Sequence, residues 1–295
     1  MRTLKLTLSY DGTRFVGWQR QREGESIQGL LEEALARFEG APVSVQGAGR
    51  TDAGVHALGQ VASVRVTCAH DTTTLTRALN AHLPEDIRVL AVEERDEAFH
   101  ARFSARAKTY RYQIRNGAIA SPFERAYVWH LIEPLALDAM NSAAGRLVGT
   151  HDFAAFRSAG SEVSGTVRTI TRSAWRETPR GVYQLEGYDP QQAFDRDLPA
   201  ATTRGPRRAR LRGGVGAERP VATSEGHTTS LLTYEISGDG FLRHMVRAIV
   251  GTLVDVGRGW REGADIGALL QGGTRAQAGA TAPPQGLFLV SVDYD

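Results

Sequence analysis

Cysteine is all but missing from this chain: Cys68 is the only one in 295 residues. A single cysteine excludes an internal disulfide and any cysteine-based zinc cluster, and it fits a reducing cytoplasm. Lysine is nearly as scarce, with Lys5 and Lys108 set against 33 arginines and a formal net charge of only +2. Arginine suits bidentate contact with phosphate. Base composition of the gene explains the ratio first, however, and the near-zero net charge means that any nucleic-acid footprint must be a local patch. No run approaches the ~18 apolar residues of a membrane span. The segment Met1–Leu6 alternates from the start and lacks an apolar h-region, which argues against a signal peptide. With 41% hydrophobic and 23% charged residues, the composition is that of a soluble globular protein long enough for two domains.

Two nucleotide motifs are also missing. The stretch Gly47-Ala48-Gly49-Arg50-Thr51-Asp52-Ala53-Gly54-Val55-His56 is rich in glycine, yet no lysine follows as a P-loop demands. The dinucleotide fingerprint would need glycine where Asp52 stands, and a helix afterwards. A strand pattern resumes instead by Gln60. Alternating apolar segments flank the stretch, Pro42–Gln46 before and Gln60–Val66 after, so it reads as a loop between two strands. Such a loop is commonly a plain turn whose aspartate caps its own backbone. It also brings a carboxylate, a guanidinium and an imidazole (Asp52, Arg50, His56) onto permissive backbone, which is where chemistry is usually found.

Around that loop the chain reads as α+β, with helices packed on a largely antiparallel sheet. Leu4, Leu6, Leu8 and Tyr10 alternate in a first strand. Ile27, Leu30, Leu31, Ala34, Leu35 and Phe38 recur at helical spacing behind the N-cap Ser26, and Gly40 and Pro42 end that helix. A helix around Leu75–His82, capped by Asp71 or a neighbouring threonine, and a strand around Ile87–Val92 complete a first domain, residues 1–104. The basic and aromatic link Phe99–Ala107 then runs into a strand in which Tyr110, Tyr112 and Ile114 share one face. Tyr112 and Ile114 read as core. Tyr110 is either a core residue with a satisfied hydroxyl or a base-stacking platform.

The second domain, residues 105–295, is expected to hold a helix over Leu137–Val148 and a turn with a helix cap at His151-Asp152. Strands near Arg168–Trp175 and Gly181–Gly187 should follow, then a strand at Leu232–Ile236. A strongly patterned helix over Phe241–Val256 presents Arg243, His244, Arg247 and Gly251 opposite its apolar face. A short helix near Ala264–Leu270 and a strand over Leu287–Val292 close the chain. Residues 189–229 differ: four prolines and Arg204, Arg207, Arg208, Arg210, Arg212 and Arg219 accompany few large apolar side chains. The composition predicts a disordered insertion, either a solvated loop or a basic arm on nucleic-acid backbone.

In order along the chain, Phe15–Gln21, Gly47–His56, Phe99–Ser104 with Lys108–Tyr112, Asp152-Phe153 and Gly240–Gly251 resemble the tRNA pseudouridine synthase A family. The match is most specific at Ala48–His56; the insertion departs from it. The resemblance implies two similar α/β domains with mainly antiparallel sheets forming a central cleft, and a homodimer. It implies a cytoplasmic, cofactor-free and metal-free isomerase acting on uridines 38, 39 and 40 of the tRNA anticodon stem-loop. The N1–C1′ bond breaks, the base turns, and C5 joins C1′, on a nucleotide swung out of its helix. By residue-for-residue match, Asp52 is the catalytic carboxylate, Arg247 its basic partner and Tyr110 the tyrosine that stacks on the base. Whether Asp52 attacks the base, attacks the sugar or removes a sugar proton stays open. Arg50, with Arg14 and Arg102, is expected to hold the substrate, while His56 is as suited to bracing the loop. The alternatives are a non-catalytic tRNA-binding module and an aspartate-dependent hydrolase or phosphotransferase, which would need metal ligands not found in the sequence.

Overall fold

The computed structural model describes residues 1–158, 165–178 and 229–295. The first strand, β1 (Arg2–Tyr10), puts Leu4, Leu6, Leu8 and Tyr10 on one buried face. Helix α1 (Ile27–Glu39) starts where Ser26 Oγ accepts the Gly29 N–H at 3.2 Å and stops at the left-handed Gly40. A two-residue strand β2 (Gln46–Gly47) and the long β3 (His56–Val66) bracket the glycine-rich loop. Helix α2 (Thr72–His82), capped by Asp71, and β4 (Ile87–Arg95) follow. Ile27, Leu31 and Leu35 of α1 and Leu75 and Leu79 of α2 join the β1 leucines in one apolar cluster. Each such buried side chain favours folding by roughly 1.5–3 kcal/mol before entropy is counted.

The second half adds further strands and helices to the same sheet. Strand β5 (Ala107–Asn116) pairs with the short β6 (Trp129–Leu131), and helix α3 (Leu137–Gly145) leads to β7 (Gly149–Asp152) and a 3₁₀ turn at Ala154–Phe156. Then come β8 (Val167–Thr178), β9 (Ser230–Gly238), helix α4 (Met245–Gly257), helix α5 (Asp265–Leu270) and β10 (Leu287–Asp293). All strands described belong to one sheet, in the order β4-β1-β3-β10-β5-β9-β8-β7, with β2 on β3 and β6 on β5. Every pairing is antiparallel except β10 with β3 and β5 with β6. The last strand thus stitches the two halves together: Phe288 and Leu289 pair with His56 and Ala57, and its other edge takes β5.

Several expectations are corrected. Pro42–Gln46 forms no strand before Gln46. The Val45 backbone is claimed by α1, its N–H donating to Glu32 Oε1 at 3.1 Å and its carbonyl accepting from Gln28 Nε2 at 3.0 Å. The helix expected to Val148 ends at Gly145, and the next turn tightens to i→i−3 bonds, Leu147 N to Ala144 O among them, while Leu147 stays buried. His151 and Asp152 lie in β7 rather than in a turn, though Asp152 Oδ1 does accept the Ala154 N–H at 2.9 Å. Strand Gly181–Gly187 and the insertion, save its last residue, lie outside the described residues. Among those described, no helix is long and apolar enough to cross a membrane.

Candidate active site

The glycine-rich loop, residues 48–55, is pinned at its ends and open in the middle. Ala48 N donates to Val61 O at 2.7 Å, Gln60 Nε2 reaches Gly49 O at 2.9 Å, and Tyr10 Oη meets Thr51 Oγ1 at 2.8 Å. Burial pushes the Tyr10 hydroxyl up to about 12, against the pull of Thr51 and Gln60, so it remains a neutral link. A second segment braces the loop from outside. Trp18 N donates to Thr51 O at 3.0 Å. The chain can make that approach because Gly17 adopts φ +108°, and a Cβ there would sit 2.7 Å from the same Thr51 carbonyl. The loop's far end rests on buried His56. Its Nδ1 accepts the Gly12 N–H at 3.0 Å, and its Nε2 faces the carbonyls of Ala126 at 3.0 Å and Gln285 at 3.2 Å. His56 is therefore a brace, stacked on Phe288 at 4.7 Å.

Between these anchors Asp52 projects its side chain outward, not back onto its own loop. The turn is closed by its backbone carbonyl, which accepts the Val55 N–H at 3.1 Å. Its carboxylate Oδ2 instead accepts from Arg247 Nη1 at 3.0 Å, on a side chain 195 residues further along. Arg247 is itself held: Nε donates to Ala282 O at 2.7 Å, and its backbone carbonyl accepts the Ala282 N–H at 3.0 Å. That docking of α4 on the 280–282 segment needs Gly251, where a Cβ would lie 1.7 Å from the Ala280 carbonyl oxygen.

His244 is the residue that sequence reasoning missed. It was expected inside a helix beginning at Phe241, but α4 begins at Met245. His244 precedes it with φ 62°, the only positive φ outside glycine among the described residues. This left-handed turn brings its Nε2 to 3.3 Å from Asp52 Oδ1, while its Nδ1 meets Ser158 Oγ at 2.6 Å. Burial, reinforced by Arg247 and Arg243, lowers the imidazole pKa against the pull of Asp52. The ring facing the carboxylate is thus neutral near pH 7, with its proton on Nε2 and Nδ1 accepting from the serine hydroxyl. The sequence pattern put His244 on the polar face with Arg247 but gave it no contact with Asp52, because that contact depends on one backbone angle.

These groups line a groove of about 1520 Å³ that also takes in Arg50, Arg102, Lys108, Tyr110 and Arg243. Tyr110 is buried, its ring edge-on to Phe241 at 5.0 Å, and burial with the nearby Asp52 raises its hydroxyl well above the ordinary tyrosine value. Tyr112, read as core, is fully buried and donates from its hydroxyl to Pro283 O at 2.8 Å. Arg50 and Arg102 are exposed at the groove, with Arg102 over the Phe103 ring at 5.6 Å. Arg14 is not brought to the groove. Its guanidinium is engaged by Glu25 and, at 2.6 Å, by Asp86 Oδ2. Among the described residues, no three His, Cys, Asp or Glu side chains come together as a metal site.

A carboxylate clamped by an arginine inside a large groove edged by exposed arginines is an arrangement able to hold an anionic ligand beside one aspartate. Comparison with known proteins narrows this further. The model of a family described as "tRNA pseudouridine synthase" matches residues 7–104 and 143–295. The chain is 40% identical over 294 residues to "tRNA pseudouridine synthase A" of Syntrophotalea carbinolica, covering all of this chain and 97% of that protein. It is 38% identical to the proteins of that name from Exiguobacterium sp. and Myxococcus xanthus, again over its whole length and 99% and 92% of theirs. The chain belongs to the tRNA pseudouridine synthase family.

Proposed function

We propose that this protein isomerises uridine to pseudouridine in the tRNA anticodon stem-loop, at positions 38, 39 and 40, with Asp52 as the catalytic carboxylate. The names of its relatives support the reaction. The observation that carries the assignment to Asp52 is its 3.0 Å pair with Arg247 in the groove, where no loop N–H competes for the carboxylate. A carboxylate so held is aimed by its arginine, and an extruded nucleotide supplies the reacting atoms without any redox change. The N1–C1′ bond breaks, C5 bonds to C1′, C5 loses its proton and N1 ends protonated.

Tyr110 suits the base-facing role. Its hydroxyl stays protonated, and its ring is fixed edge-on by Phe241. Arg50 and Arg102, exposed along the groove, are the proposed phosphate contacts, a role Arg14 is less placed to share. The division at residues 104/105 into two domains forming the cleft follows from the family resemblance, and one sheet runs through both. A homodimer gripping tRNA follows from the family resemblance, and a cytoplasmic setting is supported by the lone Cys68 and the RNA substrate.

The test is mass spectrometry of uridine-derivatised tRNA after incubation with wild type and Asp52→Ala. The expected result is full tRNA binding by the variant and no pseudouridine. Product at the wild-type rate from Asp52→Ala would remove Asp52 from the chemistry.

A further inference from the structure

Among the described residues lining the groove, Arg50, Arg102, Arg168, Arg243 and Lys108 all lack a carboxylate partner, and Lys108 is the one that is half-buried without even a backbone hydrogen bond for its charge. Lys108 lies on β5 two residues before Tyr110, hence on the same face of the strand. Among the described residues its ammonium makes neither a hydrogen bond nor an ion pair, although the side chain is half-buried. The surrounding charges make matters worse. Burial first, then the nearby Arg102 and Arg168, push the ammonium down to about 8. Of the carboxylates on the groove wall, Asp52 is engaged by Arg247, and Asp239 Oδ1 accepts the Thr169 N–H at 3.1 Å.

The geometry around this lysine is that of an open cradle. A Cβ placed on Gly49 would stand 3.8 Å from Lys108 Nζ and 3.7 Å from Tyr110 Oη. The ammonium and the tyrosine hydroxyl therefore border the same small space beside the loop that carries Asp52. The Tyr110 hydroxyl also has no hydrogen-bond partner among the described residues. Three cations gathered around a desolvated position, with two free donors facing one gap, are unfavourable until an anion enters.

We propose that Lys108, with Arg102 and Arg168 behind it, binds a phosphodiester group of the RNA strand next to the nucleotide held at Asp52. A compact ammonium with three donors matches a phosphate oxygen. The gap at Gly49 is too near Tyr110 for a phosphate remote from the reacting base. The proposal rests on the reading that the strand enters this groove with its target at Asp52.

The experiment measures binding of an anticodon stem-loop RNA to the full chain across a range of salt concentrations, for wild type, Lys108→Gln and Lys108→Arg. Losing one phosphate contact reduces the slope of log affinity against log salt by about 1. Lys108→Gln is expected to show that reduction, with affinity about tenfold lower near physiological salt, and Lys108→Arg to restore most of both. A set of stem-loops, each with one neutral methylphosphonate linkage, locates the contact. One linkage beside the target uridine should weaken wild type and leave Lys108→Gln unchanged.

A second measurement separates this from a structural role. Removing an unpaired, desolvated charge should raise the melting temperature of the free protein, so Lys108→Met is expected to be more heat-stable while binding RNA more weakly. Unchanged slope and affinity in Lys108→Gln would overturn the proposal alone, as would sensitivity to a linkage far from the target. A wild-type protein that does not bind the stem-loop would overturn the RNA reading with it. Pseudouridine formation by Asp52→Ala concerns only Asp52.

Discussion

The imidazole of His244 faces Asp52 from the side that Arg247 leaves free: Nε2 stands 3.3 Å from Oδ1, while the arginine takes Oδ2 at 3.0 Å. The carboxylate is thereby fixed in rotation as well as in position. The histidine reaches it only by adopting φ 62°, a conformation that costs a residue with a Cβ roughly 1–2 kcal/mol. Strain of this kind persists where the surroundings enforce it, and here they include the Ser158 hydroxyl at 2.6 Å.

His244→Ala should therefore lower kcat and leave the KM for tRNA nearly unchanged. Loss of one hydrogen bond to a charged group, ~1.5–3 kcal/mol, corresponds to about tenfold to a hundredfold. His244→Gly should be as slow as His244→Ala but more stable, since glycine accepts the left-handed turn without strain. Steady-state kinetics and thermal melts on both variants check this. Wild-type kcat in either would free His244 from any part in orienting Asp52.

Gly251 tests the support behind Arg247. An alanine there would place its Cβ 1.7 Å from the Ala280 carbonyl oxygen, a backbone atom that cannot swing aside. Helix α4 must then lift off the segment whose Ala282 carbonyl holds Arg247 Nε at 2.7 Å. Gly251→Ala is expected to destabilise by about 1–3 kcal/mol, as overpacking does, and to lower kcat further than the lost stability explains. Denaturant melts set beside initial rates separate the two. A variant with wild-type stability and rate would show that α4 has room to shift.

The elements governed by local rules were legible in the sequence. Ser26 and Gly40 mark the ends of α1, and Asp71 caps α2, because these caps act within one turn. The pairing of Arg247 with Asp52 followed from family resemblance and not from pattern, since 195 residues separate them. What escaped detection depends on tertiary context. Val45 has strand chemistry, but its backbone groups are taken by Gln28 and Glu32 of α1. Apolar spacing runs through Leu242 as though it were helical, whereas the left-handed His244 delays the helix to Met245. Arg14 directly precedes the motif segment Phe15–Gln21, yet Glu25 and Asp86 claim it. Parity places Lys108 beside Tyr110, but no pattern shows that it lacks a counter-ion.

Stability should fall on mild acidification through His56. Its Nδ1 accepts the Gly12 N–H, which requires the neutral ring, and burial lowers its pKa below the ordinary 6.5 although Asp11, 3.2 Å away, pulls the other way. In the unfolded chain the ring takes up a proton near 6.5, while in the folded chain it resists. The stability it contributes is complete above that pH and is lost as the pH falls to and through the lowered folded value. His244 shifts in the same direction, so the His56 share is read by difference. His56→Gln should be less stable than wild type at pH 7.5 by about 1 kcal/mol and lose less between about pH 6.5 and 5.5. Asp11, held below the ordinary 3.8 by Thr13 and Tyr127 against its own burial, acts only at lower pH. Parallel pH profiles for wild type and His56→Gln would rule out this assignment.

Arg247 makes two contacts from two different nitrogens, Nη1 to Asp52 and Nε to the Ala282 carbonyl. A lysine has one nitrogen and can satisfy one of them, so charge alone does not reproduce the arginine. Arg247→Met leaves the carboxylate with only the neutral His244 beside it. The two side chains are 14% and 29% exposed, so solvent screens the loss and the cost in folding should stay near 1 kcal/mol. The cost in chemistry should be larger, because the carboxylate loses its orientation where charge develops. We expect kcat to fall about a hundredfold or more in Arg247→Met, ~2.7 kcal/mol at the transition state, and about tenfold in Arg247→Lys, with tRNA binding within a few-fold of wild type in both. Single-turnover pseudouridine formation and filter binding measure the two quantities separately. If Arg247→Met turned over at the wild-type rate, the ion pair would have no part in catalysis. If it lost tRNA binding and rate together, Arg247 would be a substrate contact and not the residue that holds Asp52.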